Sequence, residues 1–162
     1  MALRENPALA FDELAVDDEW ESPGRTITEA DVVNFAGISG DFNALHMDEE
    51  IARRGPFRGR VAHGLLGLAV ASGLTSFAPR VDTLAFLCIL EWKFLRPIAF
   101  GDTIRVITRV AALEPKGRGR RGVVTWLKRV VNQEGETLQE GTTQTLVRSR
   151  PKMGETDLES AD

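Results

Sequence analysis

LLGLAVASGLTSF (65–77) is apolar almost all the way round a helical projection. A helix at a protein surface shows one apolar stripe, so this one is expected to be buried on every side. Gly67 and Gly73 would weaken an exposed helix; in a buried one they let a sheet approach closely. The chain that follows supplies the sheet. Segments 84–95, 103–113, 122–131 and 137–148 are of strand length and rich in Val, Ile, Leu, Thr and Trp. NQEG (132–135) predicts a hairpin turn between the last two, and PIAFGD (97–102) predicts another.

Upstream, DEWESPGRTI (18–27) reads as an extended segment broken at Pro23-Gly24. Thr28 is placed to cap a helix with an apolar stripe of Val32, Val33, Phe35 and Ala36, ended by Ser39-Gly40-Asp41. Asp48 and Glu49 favour a second short helix through Arg53, because carboxylates suit a helix N-terminus. The order is one strand, helices, a central helix, then four long antiparallel strands. A single sheet around one buried helix satisfies it, so the fold class is α+β.

At 162 residues the chain supports one domain. Its body is expected over 11–150, with a flexible N-terminus at 1–10 and an acidic, disordered tail at 151–162. The net charge of −4 argues against a nucleic-acid partner. The longest apolar stretch, 65–74, is about half a membrane span, and MALRENPALAFDEL lacks the basic flank and apolar run of a secretion signal. A soluble, cytoplasmic protein without membrane or nucleic-acid partners is expected. The lone Cys88 cannot form an internal disulfide and, among apolar neighbours, reads as buried packing.

Chemistry concentrates in SGDFNALH (39–46), which brings Asp41, Asn43 and His46 close together just after a helix ends. A carboxylate beside an imidazole can share one water, one group taking its proton while the other orients it. On spacing alone, Asp41 as a turn cap and His46 as a surface residue is the better-fitting reading. The other histidine, His63, precedes Gly64 at the start of the central helix. An unpaired amide there, with the helix dipole behind it, can polarise a carbonyl oxygen; a plain turn into a core helix is the alternative. Two histidines and one cysteine form no ligand cluster at a standard metal spacing, so neither metal nor cofactor is expected.

SGDFNALHMDEEIA (39–52) followed by FRGRVAHGLL (57–66) resembles the MaoC-like acyl dehydratase family, which includes the R-specific enoyl-CoA hydratases. ESPGRTITEADVVNFA (21–36) and WKFLRPIAFGDTI (92–104) extend the resemblance across 11–149. It implies a hotdog fold, an antiparallel sheet wrapped around a buried central helix, paired as a homodimer or higher oligomer. It also implies addition of water to trans-2-enoyl thioesters, or the reverse dehydration of 3-hydroxyacyl thioesters. By position, Asp41 and His46 match the family's catalytic dyad, Asn43 the polar residue between them, and Gly64 the glycine whose amide binds the thioester carbonyl. Ser72 falls where family members place a serine near the acid, and His63 supports the site. Ala44 departs from the proline of many members, and Arg53-Arg54-Gly55-Pro56 from a commoner small-residue pattern.

The implied partner is an acyl-CoA or acyl-carrier-protein thioester, whose phosphates would meet Arg53, Arg54, Arg58 and Arg60. KGRGRR (116–121) is a second basic run, read as a solvated hairpin loop. Phe35, Phe42, Phe57, Trp92 and Phe94 sit on elements expected near the site. A hotdog thioesterase is the competing enzyme class, but it would carry its acid on the central helix or a facing strand, and 64–77 holds no acid. A non-catalytic subunit of a heteromeric dehydratase would lack part of the dyad. The strand at 122–131 is apolar on both faces, which predicts a covered sheet and a homodimer.

Overall fold

The structure, a computed structural model, describes residues 8–150. The expectations for 1–7 and for the tail at 151–162 lie outside the described residues. Residues 8–10 do not share the looseness expected of the N-terminus: Leu9 bridges in parallel to Val81, and Ala10 is buried. They lead into a 3-10 turn, Phe11–Glu13, whose phenyl ring packs on the sheet.

Strands β1 (Glu19–Glu21) and β2 (Arg25–Thr26) flank the Pro23-Gly24 break. Helix α1 (Glu29–Ser39) begins at a capping box: Thr28 Oγ1 accepts the Asp31 amide at 3.3 Å and Asp31 accepts the Thr28 amide at 2.9 Å. That backbone donor, helped by the Thr28 hydroxyl and Arg25, holds the Asp31 carboxyl below the usual range. Gly40, at φ +75°, ends the helix in the left-handed conformation. Val32 and Ala36 are buried, four residues apart on one face, whereas Val33 faces outward.

A one-turn helix α2 (Ala44–Met47) and the expected α3 (Glu49–Arg54) follow, then the central helix α4 (Gly64–Leu74). β3 (Thr83–Phe94), β4 (Thr103–Lys116), β5 (Arg121–Val131) and β6 (Thr137–Arg148) complete an antiparallel sheet in the order β1-β4-β5-β6-β3, with β2 also on β4. The NQEG turn joins β5 and β6 as a hairpin, with Gly135 at φ +80°. PIAFGD does not make a hairpin. β3 pairs with β6 while β4 pairs with β5 and β1, so 97–102 carries the chain across the sheet. Turn residues mark a change of direction; they do not choose the partner.

α4 is buried on one face only. Leu66, Gly67, Val70, Ala71 and Leu74 pack on the sheet with Ile98, Ile104, Val106 and Val130, while Leu65, Ala69, Ser72 and Gly73 are exposed. An all-round apolar helix therefore leaves an apolar face uncovered in the single chain. Ser72, expected as a buried hydroxyl, lies on that open face. β3 is the other exception: as an edge strand it exposes Phe86, Leu87, Ile89 and Leu90, and Cys88 is half-buried with its thiol toward Gln144 Oε1 at 3.5 Å. β5, expected to need cover on both faces, is the middle strand, and its outer face leaves Leu127 exposed.

The two helix glycines separate. A Cβ at Gly67 would lie 2.4 Å from Gln139 Nε2 and from Ile98 Cδ1, whereas at Gly73 it would meet nothing within 4 Å. Gly73→Ala is expected to stabilise the chain by up to about 1 kcal/mol through helix propensity. Gly67→Ala, with the same propensity gain, is expected to cost about 1–3 kcal/mol by overpacking. Chemical denaturation of both variants checks the opposite signs.

Candidate active site

The chain between α1 and α2 is folded by its own short polar side chains. Asp41 Oδ1 accepts the Asn43 amide at 3.2 Å, and Asn43 Oδ1 accepts the Leu45 amide at 3.0 Å. Asn43 is the N-cap of α2, the turn that carries His46. That turn was not anticipated; Asn43 three residues before His46 is the signal that could have found it.

His46 is 9% exposed and its Nδ1 lies 2.7 Å from the Val61 carbonyl. A carbonyl only accepts, so Nδ1 carries the hydrogen and the neutral ring presents a lone pair at Nε2. Val61 is held in turn: it bridges to Ala99, and the next residue, Ala62, donates to the Ile98 carbonyl at 2.9 Å. His63 is 2% exposed. Its Nε2 donates to the Asp41 backbone carbonyl at 2.9 Å, and its ring lies against that of His46 with centroids 3.8 Å apart. Phe35 packs on its other neighbour side at 5.1 Å, and its Nδ1 has no partner among the described residues.

One donor atom each from Asp41, His46 and His63 lies within 4.8 Å of the others. Sequence spacing did not assemble this trio, because α1 and α4 bring its two halves together. The same donor set is the one a divalent cation would use among the described residues. The Asp41 side chain stays half exposed, with Oδ2 3.9 Å from His63 Nε2.

Gly64 opens α4, so its amide has no acceptor within the helix. Gln139, 1% exposed, fixes this end: Nε2 donates to the Gly64 carbonyl at 3.0 Å while Oε1 accepts the Trp92 indole at 3.1 Å. Sequence reading missed Gln139, since a lone glutamine in a strand carries no pattern. His46, Gly64, Phe57, Phe94 and Gln139 line a cleft of about 250 Å³. Of the aromatic residues singled out, Phe57 and Phe94 reach the cleft, Phe35 and Trp92 brace its walls, and Phe42 is exposed. Ser72 is not among its lining residues and lines a different cavity.

The four arginines divide. Arg60 lies between Glu29 at 2.7 Å and Glu49 at 2.9 Å, and over the Phe100 ring; Arg53 also pairs with Glu49 at 2.9 Å. Hydrogen bonds from Arg60, then Arg53, hold Glu49 below the usual carboxylate range. Arg54 and Arg58 are exposed and make no ion pair among the described residues. In the KGRGRR run, Lys116 pairs with Glu114 at the β4–β5 hairpin.

An acid and an imidazole thus lie beside a helix-start amide, under a sheet curled on one helix. A MaoC like domain model matches residues 13–133, and the chain belongs to that family. Among relatives, it is 36% identical over 98 residues to a 3-hydroxybutyryl-CoA dehydratase of Methylorubrum extorquens, covering 60% of this chain and 61% of that protein. It is 32% identical over 96 residues to an (R)-specific enoyl-CoA hydratase of Rhodospirillum rubrum, covering 59% and 65%. The chain thus spans less than two thirds of the length of these relatives. The unliganded R-hydratase PhaJ1 of Pseudomonas aeruginosa superposes with a TM-score of 0.75 at 29% identity, over 96% of this chain and 97% of that one. A Mycobacterium tuberculosis protein with a double hotdog fold superposes at 0.78 and 22% identity, over 90% and 46%, and shares the fold.

Two outcomes follow from the supports. Gln139→Leu leaves the Trp92 N–H unpaired and frees Gly64, and is expected to cost about 1–3 kcal/mol in denaturant unfolding. Because Glu49 is ionised more readily when folded, its contribution is present above its ordinary value of 4.5 and lost as pH falls through the lowered one. Glu49→Gln should flatten that part of an acid-unfolding profile.

Proposed function

We propose that the chain hydrates trans-2-enoyl thioesters of coenzyme A or acyl carrier protein, with R stereochemistry, or runs the reverse dehydration. The observation that carries this reading is that the Asp41 carboxylate lies within 4.8 Å of the His46 ring, whose Nδ1 is held by the Val61 carbonyl. Water is a weak nucleophile at neutral pH, and both groups accept from it. Asp41 serves as principal base and His46 as orienter and proton partner; oxygen adds to Cβ, and a proton passes through the pair to Cα on the same face. Charge that gathers on the thioester oxygen meets the Gly64 N–H, an effect worth on the order of 3 kcal/mol for one well-placed donor. His63 and Asn43 position the Asp41 loop.

Arg54 and Arg58, which flank the cleft residue Phe57 in sequence and make no ion pair among the described residues, are the candidates for carrier phosphates, with Arg53 and Arg60 engaged by Glu49. A thioesterase is less well supported because the described α4 has no acid to attack a thioester. A cytoplasmic location belongs to the same reading; among the described residues no helix is long and apolar enough to cross a membrane. The assembly is a homodimer, supported by the apolar edge strand β3 and the uncovered face of α4.

Loss of enoyl-thioester absorbance with crotonyl-CoA tests the reaction. Asp41→Asn and His46→Gln should each lower kcat by about 10²–10⁴-fold with folding intact. Release of free CoA instead would replace hydration by thioester hydrolysis. In sedimentation velocity the chain should run as a dimer and the Phe86→Glu, Leu90→Glu double variant as a monomer. A monomeric wild type at micromolar concentration would refute the interface.

A further inference from the structure

The first turn of α4 is a loose place for an amide that must meet a developing charge. Glycine has the widest choice of backbone angles, and helix ends fray. His63, the N-cap of α4, makes no capping bond with its side chain. The sheet supplies what the cap does not. Gln139 on β6 and Phe94 on β3 are cross-strand partners, and both meet Gly64. Gln139 Nε2 donates to the Gly64 carbonyl at 3.0 Å, and the Phe94 ring lies so close that a Cβ on Gly64 would stand 2.9 Å from its Cδ1. By position that carbonyl already has a helix partner four residues on. The Gln139 bond therefore rescues no orphan acceptor; it fixes the backbone of Gly64. The peptide on the other side, which carries the Gly64 N–H, is held where the Gly67 amide donates to the His63 carbonyl at 3.2 Å.

We propose that Gln139, locked by Trp92, is a positioning residue for the reaction: it holds Gly64 so that its N–H addresses the thioester oxygen. The role rests on the hydration reading. An indole N–H only donates and a carbonyl only accepts, so a single orientation of the Gln139 amide serves both Trp92, at 3.1 Å, and Gly64. Two glycines make room for this pair of side chains. A Cβ on Gly67 would collide with Gln139 Nε2, and one on Gly141, the cross-strand partner of Trp92, with Trp92 Cε3. Gln139 is buried, and an apolar residue there would fill the same interior without the cost of desolvating an amide. What the amide adds is direction. Donors set in place before reaction stabilise developing charge without reorganising, and Gln139 gives the Gly64 N–H that advantage from the far side of the cleft wall.

The full chain, Gln139→Met, Trp92→Phe and the double variant are assayed with crotonyl-CoA, and absorbance spectra are taken with 2,4-hexadienoyl-CoA bound. That conjugated thioester absorbs further to the red as its carbonyl is polarised. Its peak position reports bound molecules alone, so an unfolded fraction, which lowers kcat, does not move it. Each single variant should lower kcat by about tenfold, less than outright loss of a donor, and cut the red shift by about half. KM should stay within about twofold, as for an interaction made in the transition state. The double variant should lose no more than Gln139→Met does, since both changes act through one amide. Wild-type kcat and peak position in a folded Gln139→Met would overturn the role, as would a double variant whose losses multiply. A lowered kcat with an unmoved peak would also overturn it, leaving Gln139 to stability alone. If Gln139→Met does not fold, Trp92→Phe decides by the same peak. A wild type inactive toward every enoyl-CoA would overturn hydration and this role with it, whereas an active wild type with unmoved variants overturns this role alone.

Discussion

The hydrogen bond from His46 Nδ1 to the Val61 carbonyl is the joint on which the site depends. It ties the loop after α1 to the lead-in of α4, and with one bond it sets both the place and the tautomer of the imidazole. The His63 bond to the Asp41 carbonyl is its counterpart, reaching back the other way. The two rings then stack in a buried layer, so neither loop can move without the other. Gln139 completes the arrangement from the sheet side by holding the first carbonyl of α4. A half-exposed acid is thereby held beside a buried imidazole, and the imidazole lines the cleft.

Local signals account for what was legible in the sequence. The Thr28 capping box, the Pro23-Gly24 break, the Asp48 cap and the NQEG hairpin each act within a few residues, and each appears where its chemistry puts it. The paired motifs around Asp41, His46 and Gly64 were readable through family resemblance, because a short loop and a helix start keep their residue types. What failed was long-range. Nothing local in PIAFGD says whether β3 pairs with β4 or crosses to β6, since that choice is made by the whole sheet. Gln139 and the trio of Asp41, His46 and His63 are likewise products of elements far apart in the chain.

The apolar count of α4 and β3 misled in an instructive way. Each is apolar enough to be covered on every side, and in the single chain neither is. Hydrophobicity specifies burial, not the identity of the covering surface. Residues read as interior to one fold are equally suited to an interface between two copies, which resembles a core cut in half. The correction to α4 and the case for a dimer are therefore the same observation. The apolar outer face of β5 is a weaker signal, because neighbours on both edges already fix that strand.

Lys128 presents the opposite mismatch, a cation where the apolar cluster under α4 and the one under Phe11 and Leu14 could have met. Holding an ammonium where its pKa falls to about 8 costs on the order of 3 kcal/mol of stability at neutral pH. The cost fades as pH rises from about 8 toward the ordinary lysine value of 10.5, where the folded and unfolded amines are both neutral. A methionine of similar length would fill the space without it. The hydroxyls of Thr108 and Thr143, on the same face of the sheet, are also without partners among the described residues.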